Sequence, residues 1–85
     1  MTQPLRILRL HSQDNVAIAL GDIAEGDVVG DDGLTLLQTV ARGHKVAIAP
    51  INAGQNVLRY GQIIGQATKD IAAGEHVHVH NLGMG

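Results

Sequence analysis

The sequence predicts a compact all-β domain, barrel-like in outline, that turns the same kind of corner four times. Three observations carry this expectation. The pattern apolar-x-x-Gly-x-x-Val occurs at Ile23, Gly26 and Val29, at Val40, Gly43 and Val46, at Ile51, Gly54 and Val57, and at Ile71, Gly74 and Val77. In each copy an apolar side chain anchors the backbone, the glycine supplies a positive-φ turn conformation, and the valine re-enters the core as a strand begins. The run Val16-Ala17-Ile18-Ala19-Leu20 is echoed by Val46-Ala47-Ile48-Ala49-Pro50, and each leads into one copy of the pattern. Phe and Trp are absent and Tyr60 is the sole aromatic, so the core must be built from Ile, Val, Leu and Ala, many of them β-branched and suited to strands. The copies are irregularly spaced, which excludes a fixed-period solenoid.

Taken in order, residues 1–4 read as a loose end and 7–10 as a first strand. His11 to Asn15 is turn chemistry, rich in side chains that bond nearby backbone. Residues 16–20 are an apolar run of strand length, closed by Gly21-Asp22. Gly30-Asp31-Asp32-Gly33 is an exposed acidic turn; with Asp27 it lacks the ligand spacing of a calcium loop. Residues 34–40 fit either a short helix or a strand, with Thr35 and Thr39 favouring the strand. Gly61 and Gly65 bound a short apolar stretch and point to tight corners or bulges. The closing strand is expected over 74–81. Residues 82–85 read as a linker or truncation point at the end of a single domain spanning 1–85.

Composition excludes several classes. Six basic against eight acidic residues give a net charge of −2, with no basic cluster interleaved with aromatics, so nucleic acid is not an expected partner. No apolar run is long enough to span a membrane, and Arg6 and Arg9 interrupt the early one that a signal peptide would need. Without cysteine there are no disulfides or thiolate metal sites, in keeping with a cytoplasmic location. A domain of this size hides only about 60–65% of its unfolded surface and gains from a partner, a further copy of itself included.

The densest chemistry is at the end. In His76-Val77-His78-Val79-His80, a continuous strand would send the three imidazoles to one face and both valines to the other. Neutral imidazole is a common transition-metal ligand. At ~3.3 Å per residue, neighbouring histidines sit ~6.6 Å apart and the outer two ~13 Å apart. Two can therefore share an ion, and all three only if the strand bends; His11 or His44 is the expected internal third ligand. If the corners gather at one rim, His11, Asp14, Asn15, His44 and Lys45 face a common cleft. Ser12 beside His11 makes no nucleophile dyad, and Gly61-x-x-x-Gly65 lacks the residues of a phosphate loop.

Four blocks in this order are specific. They are His11-x-x-Asp14-Asn15-Val16-Ala17, Gly43-His44-Lys45-Val46-Ala47, Tyr60-Gly61-x-x-Ile64-Gly65, and Asp70-Ile71-x-x-Gly74-Glu75-His76-Val77-His78-Val79-His80-Asn81. Together, over nearly the whole chain, they resemble the N-terminal domain or small subunit of the altronate/galactarate dehydratase family, to which the sulfolactate sulfo-lyase small subunit is similar. The resemblance implies a SAF domain of the β-clip type. It also implies part of a hydro-lyase that eliminates water from a sugar acid to give a 2-keto-3-deoxy acid, with a divalent metal, Fe²⁺ or Mn²⁺, in the complete enzyme. A base would take the proton α to the carboxylate while an acid or metal assists the leaving hydroxyl. The expected partners are a large catalytic dehydratase domain or subunit and the sugar-acid substrate, and the isolated domain is expected to be inactive and to hold metal weakly or not at all. On this reading His11, His44 and Lys45 are catalytic, Asp14 and Asn15 bind substrate, and His76, His78 and His80 hold the metal. The rival is a non-catalytic SAF-type binding or assembly module, which needs neither the Gly-His-Lys block nor the terminal histidines.

Overall fold

In a computed structural model, which describes residues 6–30 and 32–83, the described chain forms short strands and no helix. They are β1 (Ile7–Leu8), β2 (Val16–Ala19), β3 (Val28–Val29), β4 (Leu34–Thr35), β5 (Lys45–Ala47), β6 (Asn56–Arg59), β7 (Gln62–Ala67), β8 (His76–Val77) and β9 (Leu82–Gly83). All pairings are antiparallel. The sheets run β1-β2-β5-β8, β3-β4 and β6-β7-β9. No described helix is long and apolar enough to cross a membrane.

The four corners share one backbone plan. Gly26, Gly43, Gly54 and Gly74 have φ of 89°, 83°, 86° and 93°. In each, the residue after the glycine donates to the carbonyl three residues back, as in a type II turn: Asp27 to Ala24, His44 to Ala41, Gln55 to Asn52 and Glu75 to Ala72. Each corner then clips onto one buried residue elsewhere. The glycine N–H donates to that residue's carbonyl, and its N–H donates back to the carbonyl after the glycine; the residues so held are Leu36, Ala19, Ala67 and Ala47. The anchors pair with one another through reciprocal backbone bonds, Ile23 with Val40 and Ile51 with Ile71.

Side-chain alternation along β2 and β5 feeds two cores. Val16 and Ala47 join Ile51, Val57, Ala67, Ile71 and Val77 in the first. Ala17, Ala19 and Val46 join Ile23, Val29, Leu36 and Val40 in the second. The shared sheet is thus covered on both faces, and each core holds one pair of corners.

Three expectations change. The closing strand stops at Val77 and turns over 78–81, leaving Val79 81% exposed where a continuous strand would have buried it. Residues 34–40 are strand only at Leu34–Thr35, because the clip to the Gly26 corner draws Leu36 out of line with β4. Leu82–Gly83 are not linker: they pair with Gln66 and Ala67 of β7. The loose end expected over 1–4, together with Asp31, Met84 and Gly85, lies outside the described residues. The Gly61 and Gly65 stretch is a hairpin with a register shift between Val57 and Leu58, and Tyr60 (φ 60°) and Gly61 (φ 71°) form its two-residue loop.

Candidate metal centre

The Gly43 corner and the end of β8 bring histidines from distant parts of the chain together. Val46 pairs with His76 across the β5–β8 ladder, which sets the corner residue His44 beside β8. His44 Nδ1 lies 2.9 Å from His76 Nε2. The His78 ring is 5.0 Å from His44 and stacks on His76 at 5.4 Å with a 10° tilt between planes. One ligand nitrogen from each of His44, His76 and His78 lies within 4.8 Å of the others. His80, whose ring is 5.6 Å from that of His76, stands beside this trio.

The chain bends directly after Val77. Asn81, fully buried, donates through Nδ2 to the His76 carbonyl (2.9 Å) and accepts at Oδ1 from the His78 amide (2.9 Å). Gln38 accepts from the His76 amide at 2.9 Å. Burial, then the imidazoles of His44, His78 and His80 and the Lys45 ammonium, lowers the His76 pKa and favours the neutral, ligating form.

The expected common cleft divides into separate places. Lys45 lies one residue beyond His44, but in β5 it shares the face of Ala47 and the first core, opposite Val77. Desolvation, followed by nearby Arg59, lowers its pKa. His11 is not in the cluster: its Nδ1 accepts from the Gln13 amide at 3.1 Å, and its ring packs where a Cβ on Gly61 would stand, 3.0 Å away. Asp14, expected to meet substrate, is 2% exposed and committed to backbone. Its two oxygens accept from Tyr60 (2.9 Å) and Gly61 (2.8 Å). Burial raises its pKa, but the backbone hydrogen bonds and His11 outweigh this and hold it below the ordinary value. Asn15 likewise bridges the Asn56 carbonyl and the Leu58 amide. A concavity of about 650 Å³ between β1 and the β3–β4 hairpin, lined by Ile7, Leu8, Val29 and Leu34 with the expected substrate residues Asp14 and Asn15, includes none of the histidines.

Sequence reasoning passed over Asn81 and Gln38. Asn81 carried one signal, a residue of high turn preference closing a β-branched run. For Gln38 there was none, since its role depends on a tertiary approach.

Residues 5–85 match the family model described as the altronate/galactarate dehydratase SAF domain. The chain is similar to the altronate dehydratase of Escherichia coli (strain K12), with 53% identity over 79 residues, covering 91% of this chain and 16% of that protein. It is 41% identical over 76 residues to the altronate dehydratase of Bacillus subtilis (strain 168), covering 87% of this chain and 15% of that protein. It is 41% identical over 51 residues to the (2R)-sulfolactate sulfo-lyase subunit alpha of Paracoccus pantotrophus, covering 60% of this chain and 76% of that subunit. The chain thus spans 15–16% of the length of the altronate dehydratases it matches.

Proposed function

The chain belongs to the altronate/galactarate dehydratase SAF-domain family, and from that premise we propose that it is an accessory part of a sugar-acid dehydratase of the altronate type, whose imidazole cluster is completed by a larger catalytic region. The observation that carries this reading is the convergence of His44, His76 and His78 from two separate segments of the chain.

The donor set fits a divalent transition ion. Imidazole nitrogen suits iron and zinc, and two ligands bound at ~2.0–2.1 Å sit about 3 Å apart when they meet near a right angle. The His44–His76 separation of 2.9 Å matches this, and the ligand atom of the exposed His78 lies within 4.8 Å of both. His44, His76 and His78 would hold the ion, with His80 beside it. An ion such as Fe²⁺ or Mn²⁺, when bound, supplies Lewis acidity toward an oxygen of the acid or its departing hydroxyl. The chain's own part is to fix the imidazoles and leave the remaining positions open to a substrate or partner. Lys45, with its lowered pKa, lies on the opposite face of β5 from the imidazoles. Ligands must be unprotonated, so affinity falls as pH drops through the imidazole range.

The test pairs binding with turnover. Calorimetric titration of the 85-residue chain with Mn²⁺ and Zn²⁺ is expected to show binding that disappears in His78→Ala, an exposed position whose loss leaves both cores intact. The complete dehydratase is expected to convert altronate to its 2-keto-3-deoxy acid, and the chain alone to convert none. Turnover by the chain alone, or unchanged metal content in the complete enzyme carrying His78→Ala, overturns the proposal.

A further inference from the structure

We propose that Asn81 is the positioning residue of the imidazole cluster: its buried side chain fixes the turn that follows Val77 and so holds His78 against His44 and His76. The metal aspect rests on the function proposed above; the positioning itself does not.

Had β8 continued, Val79 would have turned inward and His78 would have lain ~6.6 Å along the strand from His76. Asn81 takes up the backbone groups on either side of Val77 that face away from β5, the His76 carbonyl and the His78 amide, both at 2.9 Å. Its own amide donates to the His78 carbonyl at 3.0 Å, a carbonyl that Leu82 also uses at 2.8 Å. Its carbonyl accepts from Thr68 at 2.9 Å, which ties the turn to the end of β7. The side chain is 0% exposed, so both its polar atoms must be satisfied within the protein, and in this turn both are. Val77 remains at 0% exposure beneath the turn and fixes where it starts. The β5–β8 register sets His78 opposite His44, ring centres 5.0 Å apart, and the bend brings the His80 ring to 5.6 Å from His76, against the ~13 Å span of an unbent strand.

A residue that only stabilised the domain would lower melting temperature and leave the ring arrangement of surviving folded molecules unchanged. The experiment compares Asn81→Ala and Asn81→Asp with Val29→Ala, a core control remote from the histidines. Three readouts are taken: thermal melting, through-space NMR contacts among the His44, His76 and His78 ring protons without metal, and calorimetric Zn²⁺ affinity. Asn81→Asp keeps the size and the Oδ1 acceptor but removes the donor to His76, so it carries the test if Asn81→Ala does not fold. In the Asn81 variants the His78 contacts are expected to vanish and Zn²⁺ affinity to fall by about tenfold or more, as for other residues that orient ligands. Val29→Ala is expected to keep both at a comparable loss of melting temperature. Retained ring contacts in a folded Asn81 variant, or equal loss in the control, overturn the proposal. If the wild-type chain binds no Zn²⁺ but the contacts still depend on Asn81, the metal reading fails and the positioning stands.

Discussion

At the scale of single residues, Asp14 is a buried carboxylate bonded through both oxygens. It holds the two-residue loop of the β6–β7 hairpin, where Tyr60 occupies a left-handed conformation that costs a residue with a side chain of order 1 kcal/mol. Asp14→Asn keeps the shape, offers one acceptor where two are needed, and is expected to cost about 1–3 kcal/mol in denaturant unfolding. It also changes the acid response. A carboxyl whose folded pKa lies below its unfolded value contributes fully above the ordinary 3.8, and that contribution disappears as pH falls through the folded value. Melting temperature followed down through that window should therefore decline less steeply in Asp14→Asn than in the wild type; parallel acid limbs would show that Asp14 is not the group being titrated. The sequence marked Asp14 and Asn15 as unusual, but placed them in a turn of their own or against substrate. The backbone groups they hold lie across 41 to 47 residues of chain, a separation no local pattern encodes.

At the scale of the element, the corner explains why His44 belongs to a site. In three of the four corners the side chain after the glycine folds back onto the first amide of its own turn: Asp27 onto Ala24, Gln55 onto Asn52, Glu75 onto Ala72. His44 departs from this and reaches His76 instead. His44→Glu is expected to restore the missing bond and raise stability by about 0.5–1 kcal/mol, or a few degrees of melting temperature, while abolishing Mn²⁺ and Zn²⁺ binding. A destabilised variant would mean that the imidazole contacts outweigh the lock. The four corners were legible from sequence because glycine and its apolar flanks are local requirements. The end of β8 was not, because alternating His and Val is good strand sequence and only the buried Asn81 interrupts it. Nor was the pairing of corners, which joins Ile23 to Val40 and Ile51 to Ile71 rather than following any spacing in the chain.

At the scale of the whole molecule, two small cores share one thin sheet, and neither contains more than a handful of aliphatic side chains. Gly74 is where they are fastened. It belongs to a corner of the first core, yet its carbonyl accepts from Leu37, and an added Cβ would stand 2.3 Å from the Thr35 carbonyl oxygen beside the second. Gly74→Ala must therefore displace the 35–37 segment as well as adopt an unfavourable φ, a combined cost of about 2 kcal/mol or more. Tyr60 fluorescence reports on the hairpin over the first core, and methyl NMR of Val29 on the second. Both signals should move together to a lower melting temperature in Gly74→Ala; a shift confined to one would show that the two cores unfold independently.

The shared corner plan also bears on how such a domain acquires chemistry. A side chain placed after any of the four glycines departs from the same backbone geometry, on a turn already secured by main-chain bonds that do not depend on its identity. Exchanging that one residue forfeits at most one local hydrogen bond, with the Arg6 ion pair besides at Asp27, and leaves the clip to Leu36, Ala19, Ala67 or Ala47 in place. The scaffold can thus be reprogrammed one codon at a time, with each corner a socket for a new ligand and three spares whenever one is occupied.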